Sequence, residues 1–160
     1  MPNNVGKKFE YKLKEDWKKS FPEGTIDRIY DSVSGYKTIS NVCDFIAYNF
    51  PYIQYLEAKS HLGNTWPFTK FTQYDKLIEK DGIKGVIAGV VLWMIDHDTV
   101  VFLPVGEVKK MKEDGLKSFN IKMLQDSLYN IVVIPSVKKR TFMDSDYTVI
   151  PSIMEENNER

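Results

Sequence analysis

The sequence has little from which to build a covalent or metal-clamped scaffold. Its single cysteine, Cys43, excludes an intrachain disulfide and fits a reducing compartment. Cys43 lies in an apolar run with no histidine near it, the pattern of a small buried hydrophobe rather than a thiol nucleophile. Histidine is almost as scarce. His61 and His97 are too far apart to suggest a zinc site, and His97 reads as an exposed turn residue. No stretch approaches the ~18 consecutive apolar residues of a membrane span, so no membrane partner is expected. The longest apolar run, 85–95, reads instead as a buried strand. The first residues, Met-Pro-Asn-Asn-Val-Gly-Lys-Lys, lack the apolar centre of a secretory signal, so no leader is expected. There is no internal repeat and no linker long enough to divide 160 residues, which together suit one domain over 1–150 and a flexible acidic tail over 151–160.

Charge of one sign is lacking too: the formal net charge is zero, which argues against a uniformly basic nucleic-acid binder. The distribution is nevertheless uneven. Lys7, Lys8, Lys12, Lys14, Lys18 and Lys19 crowd the first segment against Glu10, Glu15 and Asp16, and Lys138-Lys139-Arg140 forms a second basic stretch. A locally basic face balanced by an acidic tail is compatible with an enzyme acting on DNA.

Periodicity supplies the elements. Val5, Phe9, Leu13 and Trp17 recur every four residues and predict an amphipathic helix over about 5–20, ended by Phe-Pro-Glu-Gly. Glu10, seven residues before Trp17, lies at the edge of that stripe, with Gly6 one turn below it. Residues 25–31 predict a first strand with Ile26, Arg28 and Tyr30 on one side, and 32–42 a loop or short hairpin. Two strands around 43–48 and 55–59 follow, joined by a turn near Asn49-Phe50-Pro51. A loop is expected over 60–70, a helix over 71–80, strands over 85–95 and 99–105, and a helix around 107–112. Ser118 reads as the N-cap of a helix over 119–127, and the closing region to Ile150 as irregular chain packed across the body. This order predicts a single α/β domain, a mixed central β-sheet flanked by helices.

The chemistry concentrates on the two middle strands. Side chains alternate along a strand, so Glu57 and Lys59 share a face about 6.6 Å apart while Ala58 turns away. Asp44 opens the adjacent apolar segment. Glu-x-Lys on a strand is often only a solvated ion pair, but acids within apolar runs require a cation, because an unpaired buried carboxylate is costly. Two carboxylates and an ammonium suit Mg²⁺, which takes a few carboxylate oxygens at about 2.1 Å and leaves room for water and a substrate phosphate. Such a site can hydrolyse a phosphodiester.

The order of these motifs resembles the PD-(D/E)XK nuclease superfamily, which implies a restriction-endonuclease-like fold. Within it, Ser40-Asn41-Val42-Cys43-Asp44-Phe45, Leu56-Glu57-Ala58-Lys59-Ser60-His61, Trp66-Pro67-Phe68 and the segment opening at Gln73 resemble RecU-type Holliday junction resolvases, especially the short phage-borne forms. The similarity runs from about Val5 to Val105. The resemblance implies a cytoplasmic homodimer (host cytoplasm for a phage protein) that binds four-way junction DNA and cuts two opposed strands with Mg²⁺, for which Mn²⁺ can substitute. It assigns Asp44, Glu57 and the Ala58 carbonyl to the metal, with Glu10 reaching metal or a metal-bound water. Lys59 would activate or orient the water, and Gln73 would position water or DNA. Lys7, Arg28, Tyr36, Lys37, Ser60 and His61 are the expected DNA contacts, and Tyr48, Phe50, Tyr52, Trp66 and Trp93 are candidates for an apolar dimer interface, with the chain's own core as the alternative for most of them. Cys43 stands where the superfamily name has proline, and 32–42 is shorter than the projecting stalk of cellular RecU enzymes. Another nuclease of the same fold and a non-catalytic DNA-binding module remain the alternatives.

Overall fold

The computed structural model describes residues 4–34, 37–39 and 41–154, with backbone alone for 32–34 and 37–39. In chain order the elements are α1 (Val5–Ser20), β1 (Thr25–Arg28), β2 (Ser32–Ser34), β3 (Lys37–Ile39), β4 (Phe45–Asn49), β5 (Tyr52–His61), β6 (Thr65–Pro67), α2 (Tyr74–Leu77), β7 (Val86–Met94), β8 (Thr99–Pro104), α3 (Val105–Glu113), β9 (Ser118–Asn120), β10 (Val132–Ile134), β11 (Ser136–Lys138) and β12 (Met143–Ser145). Six strands form the central sheet in the order β1-β4-β5-β7-β8-β10. Only β5 and β7 run parallel; every other neighbouring pair in this sheet is antiparallel. The protein is therefore a mixed α/β sheet with helices on it, as the periodicity predicted.

Both faces of the sheet are covered, and β7 shows why its sequence is apolar without alternation. Val91 and Trp93 enter the apolar cluster beneath α1, with Phe9, Leu56 and Tyr147, whereas Val90, Leu92 and Met94 enter the opposite cluster, with Phe71, Leu77, Val108 and Phe119. Gly89 sits where β7 meets β8: a Cβ there would lie 2.2 Å from the Leu103 carbonyl oxygen and 2.8 Å from the Phe102 ring, so only glycine permits this register.

The α1 stripe docks as its spacing required, with Phe9, Leu13 and Trp17 buried. The closing region is more ordered than its composition suggested. Strands β11 and β12 pair, and the Ser145 amide donates to Asp16 Oδ2 at 2.9 Å while the Tyr147 amide donates to Ser20 Oγ at 2.9 Å. These bonds clip the chain end across α1.

Two expectations need correction. The 60–70 loop contains β6, which pairs with β9, so Ser118 begins a strand and not a helix; the following 3-10 turn is instead capped by Asn120, whose Oδ1 accepts from the Lys122 amide. The 71–80 helix is only one α-turn, α2, continued by a 3-10 turn over Ile78–Lys80. Of the aromatic residues with two readings, Trp66 and Trp93 take the core one, whereas Phe50 at the tip of the β4–β5 hairpin is 81% exposed. Among the described residues no helix is long and apolar enough to cross a membrane.

Candidate active site

Strand β4 begins at Phe45, opposite Leu56 of β5. Continuing that antiparallel register one step places Asp44 opposite Glu57, just where the ladder ends. The Asp44 side chain closes the gap: its Oδ2 accepts from the Ala58 amide at 2.9 Å. Both backbone groups of a strand residue point toward the same neighbour, so the Ala58 carbonyl also faces the Asp44 side.

Glu57 stands beside Asp44 and is 2% exposed. Its carboxyl lies beside that of Asp44, and its Oε1 is buried without a hydrogen-bond partner. Burial, reinforced by the adjacent Asp44 carboxyl, pushes the Glu57 carboxyl up to about 9, against a weaker opposing pull from Lys59. Glu57 therefore holds its proton at neutral pH. Next to them the Cys43 thiol is raised to about 12 by burial and then by the nearby Glu57 and Asp44 carboxyls, and it donates to the Phe45 carbonyl at 3.1 Å. The thiol is not a nucleophile, as its apolar setting indicated.

Glu10 joins from α1. It makes no pair with Lys14 one turn on; Arg28 of β1 donates through Nε to Glu10 Oε2 at 3.0 Å and reaches Asp44 Oδ1 through Nη2 at 3.3 Å. Arg28 Nη1 also reaches the Asp44 carbonyl at 3.3 Å and donates to the Ile29 carbonyl. The Glu10 carboxyl is held above its ordinary range by burial and then by the charge of Asp44, partly offset by Arg28 and Lys59. Lys59, half-buried two residues beyond Glu57, makes no ion pair within 4 Å among the described residues. Its influence on both Glu57 and Glu10 places its ammonium within electrostatic reach of each.

The other nominated residues are dispersed. Gln73 sits at the start of α2, where its side chain makes no capping hydrogen bond. Ser60 and His61 line a separate cavity of about 700 Å³, with Lys8, Lys70 and Trp93. Lys7 lies on the wall of a groove that begins at Glu10 and Arg28. Tyr36 lies outside the described residues, as does the Lys37 side chain. Sequence reasoning missed the ion bridge made by Arg28. Its alternation with Ile26 on β1 put it on the α1 side of the sheet, and Glu10 on the edge of the α1 stripe was the matching signal.

Among the described residues, no three Asp, Glu, His or Cys side chains converge as a ready-made metal cage. The donor set fits a hard divalent cation nonetheless. Asp44 and Glu57 are adjacent carboxyls, Glu57 Oε1 is orphaned, and the Ala58 carbonyl faces them, while an ion such as Mg²⁺ needs only one or two protein carboxylates.

No protein-family model matches the chain, and no curated protein matches it in sequence. Among solved structures, it is similar to Hjc, a Holliday junction resolvase from the archaeal hyperthermophile Archaeoglobus fulgidus, at 21% identity and a TM-score of 0.48, over 64% of this chain and 78% of that one.

Proposed function

We propose that this chain is a divalent-metal-dependent endonuclease whose homodimer resolves four-way DNA junctions by cutting two opposed strands. The observation that carries the hydrolytic reading is the Asp44–Glu57 pair: two carboxyls held together, one with a buried oxygen that no protein group satisfies. A structural role alone leaves that orphaned oxygen unexplained, because a buried acceptor without a partner is costly. The junction specificity rests on the sequence resemblance to RecU-type resolvases.

Asp44, Glu57 and the Ala58 carbonyl would hold the cation, with Glu10 completing or supporting the set. A bound divalent ion supplies Lewis-acid stabilisation of the phosphoryl group and a water of lowered pKa. The chain's own residues do the rest. Lys59 brings a compact positive charge to the phosphate oxygens, where negative charge accumulates as the water attacks. Its ammonium also orients that water by donating a hydrogen bond. The proton held by Glu57 has to leave before this residue can act as a ligand, since carboxylate ligands bind deprotonated. Arg28 meanwhile balances Glu10 and Asp44, keeping like charges from separating the site.

The test incubates purified protein and Mg²⁺ with synthetic four-way junctions, linear duplexes and single strands, and maps the cuts. Paired, symmetric cuts confined to the junction are expected. Asp44→Asn should reduce cleavage at least a thousandfold while junction binding persists. Cleavage retained in that variant sinks the site assignment. Cuts in linear duplex or at ends would favour another nuclease of the same fold, and junction binding without any cleavage would favour a DNA-binding module.

A further inference from the structure

A groove of about 1170 Å³ runs between α1 and β1 and opens from Glu10 and Arg28 at the edge of the acid cluster. One wall is a single face of α1. Lys7, Tyr11, Lys14 and Lys18 follow one another at steps of four, three and four residues, which aligns them along the helix. Lys7 and Lys18 are eleven residues apart, so this row spans roughly 16 Å at 1.5 Å per residue.

The lysines differ from their neighbours on the same helix. Lys12 and Lys19 are neutralised by Asp16, Asp144 and Glu15, but Lys7 and Lys14 have no anionic partner among the described residues. Lys18 donates only to the carbonyls of Pro22 and Gly24, so its charge is also uncompensated. The groove thus presents a row of three lysines without an ion pair among the described residues, since the acids that also line it, Glu10 and Glu15, are engaged by Arg28 and by Lys12 and Lys19.

Its aromatic residues are equally distinctive. Tyr11 on the helix wall is 72% exposed and Tyr30 on the strand wall 74%, and the Arg28 guanidinium lies 4.9 Å over the Tyr30 ring. Ile26 and Phe45 contribute an apolar floor between them. Cations along a rim, with flat rings and an apolar floor inside, match a polyanion whose planar groups are free to stack. A DNA duplex keeps its bases stacked on one another, and a peptide offers no regular line of negative charge.

We infer that this groove binds an unpaired segment of one DNA strand leading away from the reacting phosphate, with its phosphates on Lys7, Lys14 and Lys18 and its bases on Tyr11 and Tyr30. The inference rests on the proposed nuclease reading for what the strand is connected to, but not for whether the groove binds it. It makes the enzyme selective for junctions and branches whose strands are open at the cut, because closed duplex cannot offer its bases to the tyrosines.

Fluorescence anisotropy in EDTA, where no cleavage occurs, tests it directly. A fluorescein-labelled dT₁₂ strand and a blunt twelve-base-pair duplex are titrated with the wild-type chain and with Tyr11→Ala, Tyr30→Ala and Lys14→Glu. Thermal midpoints of the variants check that each remains folded. Each tyrosine variant should weaken dT₁₂ binding about fivefold or more, with an unchanged salt dependence and little effect on duplex. Lys14→Glu should weaken binding of both and flatten the salt dependence. Wild-type protein that ignores dT₁₂, tyrosine variants that bind it unaltered, or an equal loss on duplex would each overturn the inference. A chain that shows these losses yet never cuts a junction refutes the proposed activity and leaves the groove standing. A chain that cuts junctions with tyrosine variants unaltered in dT₁₂ binding does the reverse.

Discussion

Glu57 carries the largest electrostatic tension at the candidate site, and the tension has a sign. Its folded-state value of about 9 lies above the ordinary 4.5, so the folded chain keeps a proton that the unfolded chain releases. The stability it contributes is complete below about pH 4.5 and is lost progressively as pH climbs toward 9. Glutamine cannot ionise, so Glu57→Gln should make the metal-free protein more stable than wild type at pH 8. The gain is on the order of a few kcal/mol and should shrink toward pH 5. Urea unfolding at the two pH values reads this, and an equal gap at both would refute it. Arg28 offers a second test. It places a fixed cation about 3 Å from two carboxylates, so Arg28→Leu should lower the metal-free thermal midpoint and tighten Mn²⁺ binding severalfold in calorimetry. Unchanged Mn²⁺ affinity would mean that the guanidinium does not oppose the metal. Of this site, the same-face placement of Glu57 and Lys59 was legible from strand alternation alone. The Arg28 bridge was not, because it joins a helix, a strand and the residue before a strand, whose meeting no local period encodes.

At the scale of elements, α1 acts as both lid and clamp. Its apolar stripe covers one face of the sheet, while Asp16 on its flank is only 3% exposed and receives the Ser145 amide at 2.9 Å and Lys12 Nζ at 2.8 Å. Asp16→Ala leaves a half-buried amide without its acceptor and should cost about 1–2 kcal/mol in equilibrium unfolding. Loss of protection at the Ser145 amide should follow in hydrogen exchange. Intact protection there would show that β12 is held by something else. The helix and β7 were readable because their neighbours in sequence are also their neighbours in pattern. The segment 118–127 was not: Ser118 suits an N-cap, but its amide partners come from β6 some fifty residues earlier, and that pairing outweighs the local preference.

For the whole molecule, one acid cluster per chain implies an assembly if two opposed strands are cut together. A two-fold dimer presents two identical sites in the required relation through a self-complementary interface. Sedimentation at micromolar concentration should therefore show a dimer, free or with junction DNA. Monomer under both conditions would redirect the proposal to a nuclease making single cuts.

The sequence by itself determined which faces are apolar, that α1 exists, that β7 is buried on both sides, and that an acid and a lysine project together from β5. These follow from repeats of two and 3.6 residues, which a few consecutive side chains encode. Only the tertiary structure decided that burial beside Asp44 keeps the Glu57 proton, that Arg28 spans Glu10 and Asp44, that Trp66 and Trp93 are core, and that α1 and β1 enclose a basic groove edged with tyrosines. Each depends on register and docking between segments far apart in the chain. There the outcome is settled by which surfaces can be buried together without leaving charge or hydrogen-bonding groups unsatisfied.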